Sequence, residues 1–110
     1  KMAVQVKNRV VKNVGTVPVV VAETDPSKRQ TVIGLSITNL TNGFLTVSIL
    51  LDDDTSVTGY YLKDALLASG TSLRAVSTGE KLVLGTNNKL KVQCNVDDAV
   101  DVIVSFVETT

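Results

Sequence analysis

The sequence is poor in the residue types that carry out most enzymatic chemistry. It has no histidine, no tryptophan, one cysteine, two prolines, two tyrosines and two phenylalanines. The absence of histidine excludes a Ser-His-Asp or Cys-His nucleophilic mechanism, and a single cysteine excludes an internal disulfide. Stability must therefore come from packing, and 110 residues are enough to bury a core without metals or crosslinks. We expect no enzymatic activity and no cofactor.

The charge balance argues against nucleic acid and membrane partners. Eleven basic and eleven acidic residues cancel, and no stretch strongly concentrates lysine and arginine. A protein that binds nucleic acid through phosphate contacts normally carries a basic field. No apolar run approaches the roughly 20 residues that span a bilayer, and the alternating N-terminal segment does not resemble a signal peptide. We therefore expect neither a nucleic-acid partner nor a membrane partner.

What the sequence has in abundance is valine, which accounts for 20 of its 110 residues and recurs mostly with a period of two. Short alternating segments follow one another at roughly ten-residue spacing, separated by Gly, Pro, Asn and Asp turns. This pattern predicts an all-β fold over residues 1–110, a single antiparallel β-sandwich of jelly-roll or Ig-like type with about eight short strands. Only residues 63–68 are ambiguous, because they also fit a helical turn.

The strands and turns can be assigned in more detail. Pro18, inside the valine run of residues 16–23, predicts an edge strand or an irregular entry. Asn42-Gly43 separates residues 30–40 from residues 44–51 and predicts a β-hairpin. A turn is predicted at residues 77–80. The period-two spacing predicts a core made of Ile33, Leu35, Ile37, Leu45, Val47, Ile49, Leu82, Leu84, Leu90, Val92, Val102 and Val104.

Acidic clusters are the main candidates for a metal site. Asp52, Asp53 and Asp54 are consecutive at the end of a predicted strand, and Asp97 and Asp98 lie in a predicted turn. Calcium takes several oxygen ligands, but these clusters lack the spaced carboxylates and distal glutamate of a calcium loop. Consecutive residues also point in different directions. We interpret both clusters as solvated turns and expect no metal.

Three other features have simple structural interpretations. Cys94 occupies the same alternate positions as the apolar residues of its predicted strand, which indicates a buried thiol. Asn39-Leu40-Thr41 matches a glycosylation sequon; the predicted hairpin would expose it, and without a secretion signal the match is interpreted as chance. Tyr60 and Tyr61 should point to opposite sides of a strand, with one ring in the core.

Several short segments of the sequence together resemble a known family. They occupy residues 31–39, 46–49, 60–65, 68–73, 79–84, 90–92 and 100–105, and the resemblance covers roughly residues 10–108. The chain resembles small β-sandwich virion structural proteins of tailed bacteriophages, particularly phages of cyanobacteria and marine bacteria. The resemblance implies a capsid decoration (cement) protein, or a neck or tail component, located in the virion. The implied partners are further copies of the chain and virion proteins such as the major capsid protein.

The N-terminal arm, residues 1–14, is predicted to form an interface. It carries Val4, Val6, Val10, Val11 and Val14 interleaved with polar residues, and the later strands already account for a sandwich. We expect the arm to lie against a neighbouring subunit, either adding a strand to its edge or lining a shared axis. Pairing within the chain as a first strand is the alternative. A carbohydrate-binding module remains the leading alternative function, although it would typically expose more aromatic rings.

Overall fold

The computed structural model describes residues 3–77 and 79–110, which form nine β-strands and no helix. The strands are β1 (Val4–Val14), β2 (Val19–Glu23), β3 (Arg29–Asn39), β4 (Leu45–Asp52), β5 (Thr58–Leu67), β6 (Ser72–Val76), β7 (Leu82–Leu84), β8 (Lys89–Cys94) and β9 (Val100–Thr109). Every pairing is antiparallel. The predicted all-β sandwich is confirmed, and the ambiguous segment is strand as far as Leu67. The described residues include no helix capable of crossing a bilayer.

The order of the strands distinguishes between the two predicted sandwich types. One sheet has the order β1-β9-β3-β6, with β7 also on β3, and the other has the order β2-β8-β4-β5. Since β6 and β7 pair with successive parts of β3, they share one strand position. The first strand then pairs with the last, the second with the second-to-last and the third with the third-to-last, and the two middle strands pair with each other. This nested pairing is that of a jelly roll, an antiparallel ribbon wrapped into two sheets.

The core lies between the two sheets and agrees with the prediction at all but two positions. Ten of the twelve predicted residues are buried; Leu82 is only partly buried, and Ile33 is 41% exposed. The pairing of β3 with β9 shifts register between Val32 and Gly34, so Ile33 is an extra residue in a β-bulge. The bulge reverses the alternation, and Val32 is buried in place of Ile33. Cys94 is buried, as predicted.

The predicted hairpin at Asn42-Gly43 is wrong. β3 and β4 belong to different sheets, and neither Asn42 nor Gly43 has the positive φ of a mirror-image turn. The connection is held by Asn39, whose amide Nδ2 donates to the carbonyls of Gly43 at 2.9 Å and Leu67 at 3.0 Å. Its Oδ1 accepts from Thr41. Asn39 is 1% exposed, so the expectation of an exposed sequon is also wrong.

The two edge strands on one side of the sandwich are β1 and β2. Pro18 directly precedes β2, so the predicted edge position is confirmed. β1 pairs with β9 from Val4 opposite Thr109 to Val14 opposite Val100. The described part of the arm is thus the first strand of its own sheet, which is the alternative that the sequence left open. The predicted turn at residues 77–80 contains a hydrogen bond from the Glu80 N–H to the Ser77 carbonyl at 2.9 Å; Thr78 lies outside the described residues.

Candidate assembly surface

β1 has the opposite polarity from the usual strand of a sandwich. Lys7 and Arg9 stand opposite the core residues Phe106 and Val104 of β9, and directly opposed side chains share a face of the sheet. Lys7 and Arg9 therefore lie on the inward face. The exposed valines of β1 lie on the outward face, where Val6 is 75% exposed. A strand of a solitary sandwich would carry apolar side chains inward and polar ones outward.

The outward valines of β1 belong to a larger apolar surface, which we call the outer face. It crosses β1, β9, β3 and β7, because Val6 pairs with Val107, Val107 with Thr31, and Thr31 with Val83. Its apolar members are Val4, Val6, Val10, Ile33, Val83, Ile103 and Val107. Continuous exposed apolar patches of this kind mark interaction sites on soluble proteins.

The side chains interspersed in the outer face are neutral. They include Asn8, Thr31, Ser36 and Ser105, whose pairing places them on the same side of the sheet. Three charged side chains lie on this side outside β1: Asp101 near the start of β9, Arg74 on β6 opposite Ser36, and Arg29 opposite Thr109 at the other end. The middle of the outer face therefore has no charge to keep hydrated, which lowers the cost of covering it with another protein.

The opposite sheet provides an internal comparison. The outward side of its two central strands, β8 and β4, carries polar residues, and Lys91 and Asp52 form an ion pair there at 2.7 Å. Thr46, Ser48 and Gln93 line a shallow groove of about 340 Å³ on this sheet. The outward apolar residues of this sheet, Leu50, Tyr60 and Leu66, lie beside polar and charged residues such as Lys91 and Thr46, in contrast to the outer face.

The structure separates the five valines predicted as an interface. Val4, Val6 and Val10 are 65%, 75% and 58% exposed on the outer face, and their interface role stays a prediction. Val14 is 1% exposed within the chain's own core, and Val11 packs against that core. The cause is a register shift between Val11 and Val14, next to Asn13, which has a φ of 57°. Val14 therefore belongs to the core of its own chain, and the interface role of Val11 stays a prediction.

The aspartates of the β4–β5 loop stabilise the loop itself. Asp53 Oδ1 accepts hydrogen bonds from Thr55, through both its hydroxyl and its N–H, and from the Val57 N–H. These bonds, led by that from the Thr55 hydroxyl, lower the pKa of Asp53. Hydrogen bonds from Lys91 and then Thr58 lower the pKa of Asp52. Both carboxylates favour the folded state at neutral pH and lose that effect as pH falls through the lowered pKa.

We expect removal of divalent cations to leave stability unchanged. The carboxylates of Asp52 and Asp53 already bond to Lys91, Thr58, Thr55 and the loop backbone, and no group of three potential ligands occurs in the described residues. The melting temperature should be the same in buffer containing Ca²⁺ and after addition of a chelator. A fall of several degrees that added Ca²⁺ reverses would contradict this expectation.

Both tyrosines of β5 are exposed, in contrast to the prediction that one ring enters the core. Tyr60 is 55% and Tyr61 is 38% exposed. Leu62 pairs with Ile49 and Tyr60 with Leu50, which leaves Tyr61 as an extra residue and interrupts the alternation. Both rings line a groove of about 350 Å³ with Asp53 and other residues. The Lys63 ammonium lies 5.3 Å from the centroid of the Tyr60 ring.

Comparison with known proteins places the chain by its fold. No protein-family model matches it, and no curated protein matches its sequence. A subunit of Bacillus endospore appendages, described as disulfide-linked pili, is similar with a TM-score of 0.57 and 8% identity, covering 99% of this chain and 88% of that chain.

Two viral chains show a similar likeness. A chain of the infectious bursal disease virus particle has a TM-score of 0.55 at 14% identity, over 98% of this chain and 31% of that chain. A mutant VP2 protein of the same virus, in derived T=1 particles, has a TM-score of 0.53 at 13% identity, over 99% and 32%. This chain thus spans about a third of the length of these viral chains. At such identities the likeness establishes a shared β-sandwich fold.

Proposed function

We propose that this chain is a non-enzymatic structural protein of a virion, and specifically a capsid decoration (cement) protein of a tailed bacteriophage. The observation that carries the proposal is the outer face, an apolar sheet surface whose first strand has Lys7 and Arg9 turned inward. Such a surface is typical of a site at which another protein binds. In this role the chain binds the outer surface of the capsid, and the major capsid protein is its direct virion partner.

The fold supports an assembly role. Two of the similar chains come from virus particles and one comes from a pilus, so the same sandwich serves extracellular assemblies elsewhere. The pilus is described as disulfide-linked, whereas the one cysteine of this chain, Cys94, is buried. A thiol in the core cannot link subunits without unfolding, which favours non-covalent assembly in a virion for this chain.

The second candidate position on the particle is the neck or tail. The outer face does not distinguish the two positions, which differ in the number of copies that a particle carries. A decoration protein covers the shell and so occurs in numbers comparable with the major capsid protein. A neck or tail component occurs in far fewer copies, because it forms rings on a single axis.

Counting the copies in purified particles tests the proposal. Quantitative mass spectrometry of virions from the host that carries this gene should find the chain in amounts comparable with the major capsid protein. A few copies per particle would place it in the neck or tail instead. Absence from purified virions would contradict a virion role altogether.

The exposed tyrosines favour one alternative function, a carbohydrate-binding module. Aromatic rings at a groove are a common surface for sugars, and Tyr60 and Tyr61 share their groove with Asp53. The Lys63 ammonium near the Tyr60 ring competes for the surface on which a sugar would stack. A glycan array distinguishes the two: binding that is lost in Tyr60→Ala and kept in Val6→Glu would favour the module.

A further inference from the structure

We propose that the partner covering the outer face is a second copy of this chain, so that two sheets pack face to face in a symmetric dimer. The inference rests on the proposed function, because it names the partner of the surface that the assembly role requires. Other virion proteins then contact the dimer through its remaining surfaces. Three features of the outer face support a second copy: the lack of charge at its middle, its size and the protection of its edge.

The chemistry of the outer face suits contact with itself. In a symmetric dimer each patch meets the same patch, so any charge near the middle would face a like charge. Val6, Val10, Ile103 and Val107 lie among neutral side chains of β1 and β9, and the charged Asp101, Arg74 and Arg29 lie around them, near the start of β9, on β6 and at the opposite end of β3. Two copies can therefore meet over the middle without burying a like-charge pair.

The size of the outer face is at the lower end of what stable protein interfaces bury. β1 and β9 have 11 and 10 residues, which corresponds to a length of about 33 Å at about 3.3 Å per residue. Four strand positions at about 4.8 Å spacing give a width of about 19 Å. The projected area is thus at most about 600 Å², on the scale of the roughly 800 Å² of accessible surface that each partner buries in a standard interface.

The edge of β1 is protected, which favours contact through the face. Ala3 and Thr110 exchange two backbone hydrogen bonds, at 3.3 and 3.0 Å, so the alternate residues Val4, Val6, Asn8 and Val10 direct their backbone groups to the open edge. Two copies could also pair edge to edge, with their β1 strands antiparallel and their valines on one face. The longest overlaps of this kind would place Lys7 of one copy opposite Lys7 or Arg9 of the other. Like charges directly opposite destabilise a pair, and inward-pointing charges are a known protection of edge strands.

A charge-swap experiment on the full chain tests this dimer. In one double variant Val6→Glu is combined with Ile103→Glu, and in the other Val6→Lys is combined with Ile103→Lys. Sedimentation equilibrium should show a dimer for the original chain and a dissociation constant raised at least about 100-fold for each variant, because like charges then meet. An equimolar mixture of the two variants should restore the dimer.

Matched controls separate the face from other surfaces and from misfolding. Leu66, at 68% exposure on β5, is as open as Val6 but lies on the other sheet, so Leu66→Glu should leave the dimer intact. Asn8→Pro blocks an added edge strand, because the Asn8 N–H faces the open edge, and should also leave the dimer intact. Circular dichroism should show the same strand content in all variants, since every substituted side chain is exposed.

The possible outcomes distinguish this inference from the proposed function. A monomer at all concentrations, or variants that stay apart when mixed, would overturn the dimer. Loss of the dimer in Asn8→Pro, with no loss in the acidic double variant, would overturn it in favour of edge pairing. If the chain is monomeric but present in purified virions, the dimer is contradicted and the proposed function is not. If the chain is a dimer but absent from virions, the proposed function is contradicted and the dimer is not.

Discussion

A chain that lacks residues 1–14 should fail to fold even as a monomer. β1 pairs with β9 along its whole length, and its last residue, Val14, is 1% exposed in the core. Deletion of the arm would remove one strand of the jelly roll, open a cavity at Val14 and leave the backbone of β9 without a partner on that side. Circular dichroism and a melting curve of the truncated chain measure this effect directly.

A shorter deletion serves as the control for the truncated chain. Removal of residues 1–3 takes away only the end of the arm before β1 begins at Val4, so the cooperative melting transition should remain. If the chain without residues 1–14 instead stays folded and only stops self-associating, the arm belongs to a neighbouring subunit. That result would contradict the pairing of β1 with β9 within one chain.

Replacing Ile37 by alanine should lower the free energy of unfolding by about 2–4 kcal/mol, whereas Ile33→Ala should cost less than about 1 kcal/mol. The two isoleucines belong to the same strand and differ in burial: Ile37 is 0% exposed and Ile33 is 41% exposed. The truncated Ile37 leaves a cavity between the sheets, and the truncated Ile33 leaves none. Urea unfolding of the two variants compares them with one method.

The comparison tests the bulge in β3 as well as the core. Without a bulge, strict alternation places Ile33, Leu35 and Ile37 on one side, and the two alanine variants would be equally destabilised. Equal losses would therefore contradict the register of β3 against β9. Val32→Ala, at the buried position beside the bulge, should be destabilising because it removes packed methyl groups.

The sequence determines the strands well, because their signal is local. Alternation places Leu90, Val92, Val102 and Val104 in the core, and all four are buried there. It fails at Ile33 and at Tyr61, where an extra residue enters a strand and reverses the faces from there on. A bulge depends on the neighbouring strand, so one strand read alone cannot reveal it.

The hairpin at Asn42-Gly43 shows how a non-local fold overrides a local preference. Asn-Gly favours a tight turn between paired strands. In the jelly roll, however, β3 pairs with β9, β6 and β7, and β4 pairs with β8 and β5. The connection therefore has to cross from one sheet to the other, and the buried amide of Asn39 holds it there. Only the pairing of strands distant in sequence decides this geometry.

The candidate surface was visible in the sequence only at one strand. Val4, Val6 and Val10 stand out because a strand of this kind has no need for so many valines. Ile103 and Val107 alternate with buried residues of β9, so the sequence pattern alone does not mark them as a surface. The same pattern predicts Ile33 to be in the core. The pairing of β1 with β9 and β9 with β3 brings these residues onto the outer face. A surface composed of several strands thus requires the topology as well as the pattern.

A cryo-EM map of the intact virion is the most direct test of the proposed structural role. We expect density for this jelly roll on the outside of the capsid, in pairs whose outer faces, marked by Val6 and Ile103, cover one another. The account is contradicted if the refined map contains no density that this chain fits. It is also contradicted if the chain is present and its outer face points to solvent with nothing packed against it.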